Sequence, residues 1–590
     1  DVTPLGVRAT LLGPVEDYIK GVIAQMANQR FSDLVKKPNA PFTSASMDMG
    51  DFIVAKTKDA VNFDASFKEG AWEPALKALT AEIVRIRKYG FNKSEYDRAK
   101  KDFLVSIKNL YNERDKRKND AWANEYVQYF INGGYLMDIA SYYQLMNGVV
   151  EQIAVEEINA ALKELIPEKN VVVLMTSVEK PEVKLPSTSQ LEAQFLSGMK
   201  QEVTPLKEEV SNQKLIDKLP MKGRIVKEEK NGKFGSTVWT LSNGTKVILK
   251  KTDYKDDEIL LTGTRPGGSF NFSKPAPLDL KVLNMVSDLG GLGKFDDSAL
   301  EKALAGRIAS AGLSVSELTD DVSGSTTKED LETMLQLLYL NFTARRSDKE
   351  AFKAWQERMI AKLEADKANP LSTLMDSVPR FLYPNNPENY PLTESEVKAI
   401  NYDRVLQLFR SRFANARGFQ FVFVGNIDEA KLRPLVERYI ASLPATKVTY
   451  KSFTDRVVRA IPGTHTKAYS QAMTTPTGIA VDILSTAGEY THKELLVAAT
   501  LQSILDQLYT KTIREDEGGT YGVGVRVNVS RYPTVHRSLT IQFQTDPTKV
   551  ETLNKLVFKG LEDMIKQGPS EEYFTKAIAN LGKEHAESLR

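Results

Sequence analysis

The sequence predicts an α+β protein built from tandem homologous units, each an antiparallel sheet packed against helices. Three observations carry that prediction. The first is an internal repeat. The amphipathic stretch Leu76–Gly90 ends Arg-Lys-Tyr-Gly and leads into Asn92-Lys-Ser-Glu-Tyr96-Asp-Arg98-Ala99. Near the C-terminus, Leu553–Gly568 ends Ile-Lys-Gln-Gly and continues Ser570-Glu-Glu-Tyr-Phe574-Thr-Lys576-Ala577. The two align without a gap: Gly90 on Gly568, Tyr96 on Phe574, Arg98 on Lys576, Ala99 on Ala577. A fainter middle copy is Leu331–Phe342 followed by Ser347–Phe352. Each reads as a helix, a short break, an Asn or Ser whose side chain can cap a free backbone N–H, and a long helix.

The second observation is that strand-like runs recur around those helices. Val171–Met175 follows the first helical region and Phe419–Val424 the second, while Val238–Leu249 reads as a hairpin turning at Asn243-Gly244. The third is a strict alternation. Tyr521, Val523, Val525, Val527 and Val529 alternate with Gly522, Gly524, Arg526, Asn528 and Ser530, so one face of a strand is buried. Leu539, Ile541 and Phe543 repeat the pattern, which predicts an antiparallel pair.

These elements divide the chain into units at 1–180, 236–445 and 446–590. The connecting stretch 181–235 is charged and broken by Pro181, Pro186, Pro205 and Pro220, and reads as a linker with a helix at Thr188–Met199. Thr393-Glu-Ser-Glu396 is a capping box that opens a helix. The first unit carries helices beyond its repeat, Ala121–Met146 and Ala154–Leu165, and the third stops where their equivalents would begin. The start, Asp1-Val-Thr-Pro-Leu5, has neither an initiator Met nor signal-peptide character. Both ends are therefore expected to be cuts in a longer protein.

Composition narrows the function classes. With 590 residues, 42% hydrophobic and 26% charged, the chain can bury several cores. A net charge of +2 gives no basic surface for a nucleic acid. The absence of cysteine excludes disulfides, thiolate catalysis and Cys-based zinc sites. No run of 18 apolar residues is present to span a membrane.

Several segments resemble the pitrilysin/insulinase family of zinc peptidases. Met26-Ala-Asn-Gln-Arg30 through Phe42 resembles its second domain, Leu241–Lys250 and Arg265-Pro-Gly-Gly268 the opening of its third, and Arg514-Glu-Asp-Glu-Gly-Gly-Thr-Tyr521-Gly its fourth. The resemblance implies a metalloenzyme of the LuxS/peptidase-like fold, with two clamshell halves enclosing a chamber for unfolded peptides. It also implies that the zinc-binding first domain is missing from this chain. That domain's inverted motif, His-x-x-Glu-His, places two imidazoles on one helix face to hold the ion. Only His465, His492, His536 and His585 are present here, none at ligand spacing. Leu581-Gly-Lys-Glu584-His585 is a near miss that lacks the first His, and Leu283–Phe295, where the zinc helix of the second unit would fall, has none. Zinc is thus expected in the parent protein and not on this chain.

Arg514 and Tyr521 match the family's substrate-orienting pair. The resemblance implies that guanidinium and phenol donate to substrate carbonyls and the developing oxyanion. Gly290-Gly-Leu-Gly293-Lys294 lacks the spacing of a phosphate loop. Asp256-Asp257 and Asp320-Asp321 read as solvated turns. Two readings follow: part of a zinc metalloendopeptidase, or a non-catalytic scaffold or partner subunit of a peptidase-like complex. Resemblance leans toward a bacterial periplasmic or envelope setting.

Overall fold

The structure, a computed structural model, describes residues 10–588 apart from 53–54, 168, 178–182, 208–212, 274, 448–457 and 474, and apart from the side chains of 51–52, 55–58 and 521. It divides into two compact bodies, Asp1–Asn369 with Pro387–Tyr450, and Pro370–Asn386 with Lys451–Arg590.

The larger body opens with α1 (Leu12–Val35), then the hairpin β1 (Ser44–Phe52) and β2 (Ala55–Ser66). Helices α2 (Trp72–Tyr89), α3 (Lys93–Asn112), α4 (Asn119–Asn132), α5 (Ile139–Gln152), α6 (Val155–Leu165) and α7 (Thr188–Gly198) follow. Phe31, Phe42, Met47, Ile86, Met146 and Ile158 form the centre of one core. The break between α2 and α3 is built from three devices. Gly90 adopts φ 66° and ψ −153°, a conformation essentially closed to other residues. Asn92 and Glu95 form a reciprocal capping box. Buried Arg30 reaches both sides of the break, pairing with Glu95 at 2.6 Å and Glu82 at 3.2 Å and donating to the Gly90 carbonyl at 2.9 Å.

The same body continues with β3 (Ile225–Asn231), β4 (Ser236–Leu241), β5 (Lys246–Lys251), β6 (Ile259–Pro266), α8 (Pro277–Val286), α9 (Asp297–Ala303), β7 (Ala309–Val315) and β8 (Thr319–Thr326). Helices α10 (Leu331–Thr343) and α11 (Lys349–Asp366) come next. After α12 (Pro370–Leu382), which falls in the smaller body, the chain returns with α13 (Glu394–Ala399), α14 (Tyr402–Phe413), β9 (Gln420–Gly425) and α15 (Glu429–Tyr439). The seven strands run in the order β3-β4-β5-β9-β6-β8-β7. The Asn243-Gly244 hairpin forms as the sequence predicts, with Gly244 at φ 81°. The sheet is mixed rather than purely antiparallel. β9 arrives after a long helical crossover and inserts between β5 and β6, which makes it parallel to β5 and antiparallel to β6. Trp239, Leu335, Phe409, Phe421 and Phe423 fill the core beneath it.

Two expectations fail here. Asp320 is no solvated turn: it is fully buried in β8, where Arg265 holds it at 2.8 Å and Arg412 at 2.7 Å. Val171–Met175 forms no strand, although it follows α6 as Phe419 follows α14. In the seven-stranded sheet β9 is clamped between two neighbours; among the described residues, 171–176 has none. Without neighbours its amides gain nothing from extension.

The smaller body carries β10 (Gly478–Ala487), α16 (His492–Tyr509), β11 (Thr520–Ser530), β12 (His536–Thr545), α17 (Val550–Gln567) and α18 (Glu571–Ser588). Its sheet is antiparallel, in the order β10-β12-β11, over Leu505, Tyr509, Ile541, Phe543 and Val557. The repeat is visible in three dimensions. The spacing that carries Gly90 to Gly568 carries both ends of α2 onto both ends of α17, and Lys93 onto Glu571. Ala99 and Ala577 are both buried, but Tyr96 is 2% exposed and Phe574 43%. In the larger body Tyr96 hydrogen-bonds Tyr18 of α1 and the Ile153 carbonyl beyond α5.

Gly90 and Gly568 make a matched test of the break. Both have positive φ, but a methyl on Gly90 would fall 2.3 Å from Asn159 Oδ1, which accepts from the Phe91 amide, while Gly568 faces open space. In urea denaturation Gly568→Ala should cost about 1–3 kcal/mol, and Gly90→Ala about 1 kcal/mol more through the disturbed Asn159 hydrogen bonds. Equal costs would show that Asn159 yields freely.

Candidate functional site

Arg514 lies in a π-helical turn, Thr510–Asp516, that prolongs α16. Ile513 within that turn is completely buried, and the Gly519 amide donates back to its carbonyl at 3.2 Å. The turn is thereby anchored by an apolar side chain while Arg514 next to it stays exposed. Arg514 makes no ion pair or hydrogen bond among the described residues. Glu515, Asp516 and Glu517 beside it are exposed as well.

Thr520 starts β11 opposite Thr545, and the next paired residue is Val523 opposite Phe543. Tyr521 and Gly522 thus oppose the single residue Gln544, a β-bulge that bends the strand just where Tyr521 enters it. Thr520 Oγ1 braces the bulge, accepting from the Gly522 amide at 3.2 Å and lying 3.0 Å from its carbonyl. The Tyr521 backbone is in the strand; its side chain lies outside the described residues. Further along, α16 covers this edge strand. Gln502 accepts from the Val527 amide at 3.0 Å, and half-buried Asp506 accepts from the Val525 amide. Burial pushes the Asp506 carboxyl up, against the lowering effect of that amide.

No group of three or more His, Asp or Glu able to hold a metal ion occurs among the described residues. The stretch that would correspond to a zinc helix is α8 and its exit. Leu283 and Val286 are packed into the core there. Burial pushes the Asp288 carboxyl up, opposed by Arg345, and pushes Arg345 down to about 10, opposed by Asp288. Arg345 also lies over the Phe409 ring at 4.8 Å. Aliphatic side chains and a guanidinium do not fit zinc. Gly290–Gly293 is equally committed to structure: the Gly293 amide donates to Ala344 at 2.7 Å, and a methyl on Gly291 would fall 2.4 Å from the Phe295 carbonyl. No helix among the described residues is long and apolar enough to cross a membrane.

One residue that bears on the reading of Arg514 escaped the sequence analysis. The repeat spacing that joins Gly90 to Gly568 also places Lys36 on Arg514 and Thr43 on Tyr521. Lys36 caps the end of α1 and pairs with Asp297 at 2.9 Å and Glu301 at 3.0 Å, both on α9, the helix that follows α8. Burial lowers the Lys36 ammonium, but the two carboxylates outweigh it and the net shift is upward. Asp33 pairs with Lys302 of α9 at 2.9 Å from the same helix end. The ungapped repeat contained this signal, had it been extended toward the N-terminus.

The fold class is that of the M16-type peptidases. Residues 399–581 match the family described as the peptidase M16 inactive domain. The chain is 24% identical over 509 residues to a zinc protease PQQL-like protein of Arabidopsis thaliana, covering 83% of this chain and 50% of that protein. It is 21% identical over 587 residues to the probable zinc protease PqqL of Haemophilus influenzae, covering 97% and 60%. Among solved structures, a mutant of the ferredoxin protease FusC in complex with Arabidopsis ferredoxin superposes with TM-score 0.62 at 15% identity, covering 97% of this chain and 62% of that one. The periplasmic protease PqqL from Escherichia coli superposes with TM-score 0.54 at 18% identity, covering 98% and 63%. The chain is therefore a relative of proteins named zinc proteases, as its resemblance implied, and it spans about half to three fifths of the length of these relatives.

If Arg514 serves a substrate rather than the fold, Arg514→Ala should leave urea stability within about 0.5 kcal/mol of the parent chain. A loss well above that would make Arg514 a structural anchor.

Proposed function

We propose that these 590 residues are the zinc-free portion of a zinc metalloendopeptidase, and that Arg514 and Tyr521 are the substrate-orienting half of its active centre. The observation that carries this is Lys36. At the position equivalent to Arg514, it extends from the end of its helix onto a neighbouring unit, next to the degenerate zinc helix. Arg514 sits at the same place in its own unit, with no such carboxylates engaged among the described residues. A preceding unit that holds zinc would offer it the corresponding surface.

On this reading the guanidinium of Arg514 and the phenol of Tyr521 donate hydrogen bonds to a bound peptide. The pair fixes the scissile carbonyl and stabilises the oxyanion that forms as it is attacked. The bulge at Tyr521-Gly522 and the anchored π-turn are what a preorganised pair needs, since neither backbone is free to relax. The substrates are unfolded peptides admitted to an enclosed chamber, and the setting is the bacterial periplasm, in keeping with the relative named a periplasmic protease. The rival reading, a scaffold subunit without chemistry, draws on the match to an inactive domain.

Kinetics on the protein that includes the preceding unit separate the two. Tyr521→Phe should lower kcat about 10²–10³-fold, the usual cost of one oxyanion donor, with little change in KM. Weaker binding at unchanged kcat would mean that Tyr521 only shapes the wall. The 590-residue chain alone should show no chelator-sensitive hydrolysis.

A further inference from the structure

Asp482 is a carboxyl in an apolar place. It lies in β10 opposite Ile541 and on the same side of the strand as Ala480, and both of these belong to the core of the smaller body. The charged groups on the elements packed around it are engaged elsewhere. Arg537 of β12 lies opposite Thr486, near the far end of β10, and pairs with Glu494 at 2.8 Å; His536, opposite Ala487, is farther still. On α17, Glu551 and Lys555 pair with each other at 2.8 Å and are exposed, as is Lys549 in the turn before that helix. On α16, Asp506 accepts from the Val525 amide, and buried Tyr509 donates its one proton to the Val557 carbonyl at 2.9 Å.

What Asp482 does touch is an amide. Asn554 of α17 donates from Nδ2 to Asp482 Oδ1 at 3.4 Å. The other prong of each fork, Asp482 Oδ2 and Asn554 Oδ1, is buried, and neither has a hydrogen-bond partner among the described residues. A carboxylate oxygen and an amide oxygen only accept, so they cannot serve each other. Buried polar atoms left in this way are rare in folded proteins and call for a physical reason. A single proton supplies one. A carboxylic acid is donor and acceptor at once, and against a primary amide it closes a ring of two hydrogen bonds.

We propose that Asp482 is held as the neutral acid in the folded protein, donating from Oδ2 to Asn554 Oδ1 while its Oδ1 accepts from Asn554 Nδ2, and that this acid–amide pair is a proton-dependent clasp between β10 and α17. The proton is taken from solvent and returned to it when the clasp opens. Burial pushes the Asp482 carboxyl up, and the Asn554 amide offsets that only in part. The clasp's contribution to stability is therefore complete below the range in which an unfolded aspartate titrates. It is lost as pH rises through the higher value of the folded state. Ile513 belongs to the same core, so the turn that carries Arg514 loosens as the clasp opens.

Asp482→Asn in the 590-residue chain tests this, because an amide there copies the protonated acid and keeps both hydrogen bonds at any pH. Hydrogen–deuterium exchange of 478–487 and 550–567 is compared between parent and variant at matched pH, from about pH 4 to about pH 9. The parent-to-variant ratio of exchange rates should rise about tenfold or more from the acid to the alkaline end. Asn554→Asp sets a second acid across the same contact and should exchange faster than the parent by a margin that grows with pH. A parent-to-variant ratio for Asp482→Asn that stays flat would show Asp482 ionised throughout and would overturn the proposal. Failure of Asp482→Asn to fold would do the same, since the position would then need a carboxylate. So would an Asn554→Asp chain that tracks the parent at every pH.

Discussion

A β-strand is stable only when its backbone N–H and C=O groups have partners, and the architecture of this chain follows from where those partners are found. In the second unit every central strand has two neighbours, and seven strands cover one core. In the smaller body the free edge of β11 is served by Gln502 and Asp506 from the helix above it. In the first unit, among the described residues, β1 and β2 have only each other, and the run that should lie deepest in the sheet is unpaired and largely exposed.

Charge is buried only where geometry compensates it. Arg30 with Glu82 and Glu95 fixes the helix break of the first unit, and Asp320 with Arg265 and Arg412 ties β6, β8 and α14 together. Such clusters cost heavily when one partner is lost, because the remainder is left charged and dry. The contrast with Arg514 is informative. It is a cation on a well-anchored turn with no partner among the described residues, and Lys36, its equivalent, spends its charge on the neighbouring unit. Repetition thus gives a meaning to an exposed arginine that its own surroundings do not.

Much of this was legible in the sequence because it is local. Helix breaks at Gly90 and Gly568, the Asn92 and Thr393 caps, the Asn243-Gly244 turn and the valine alternation of β11 each depend on a few adjacent residues. What was not legible is non-local. Nothing within Val171–Met175 states that its neighbours are missing, and nothing near Asp320 announces two arginines, one 55 residues before it and one 92 residues after. The parallel pairing of β5 with β9 depends on a crossover of the whole unit. The bulge at Tyr521 is equally hidden, because it is defined by the register of the facing strand.

The central claim is that chemistry is divided, with orienting groups here and the metal elsewhere in a longer protein. Elemental analysis of purified protein after zinc loading and desalting tests it most directly. The account predicts well under one zinc per 590-residue chain, and about one per molecule once the preceding unit is present. Stoichiometric zinc on the 590-residue chain alone would contradict it.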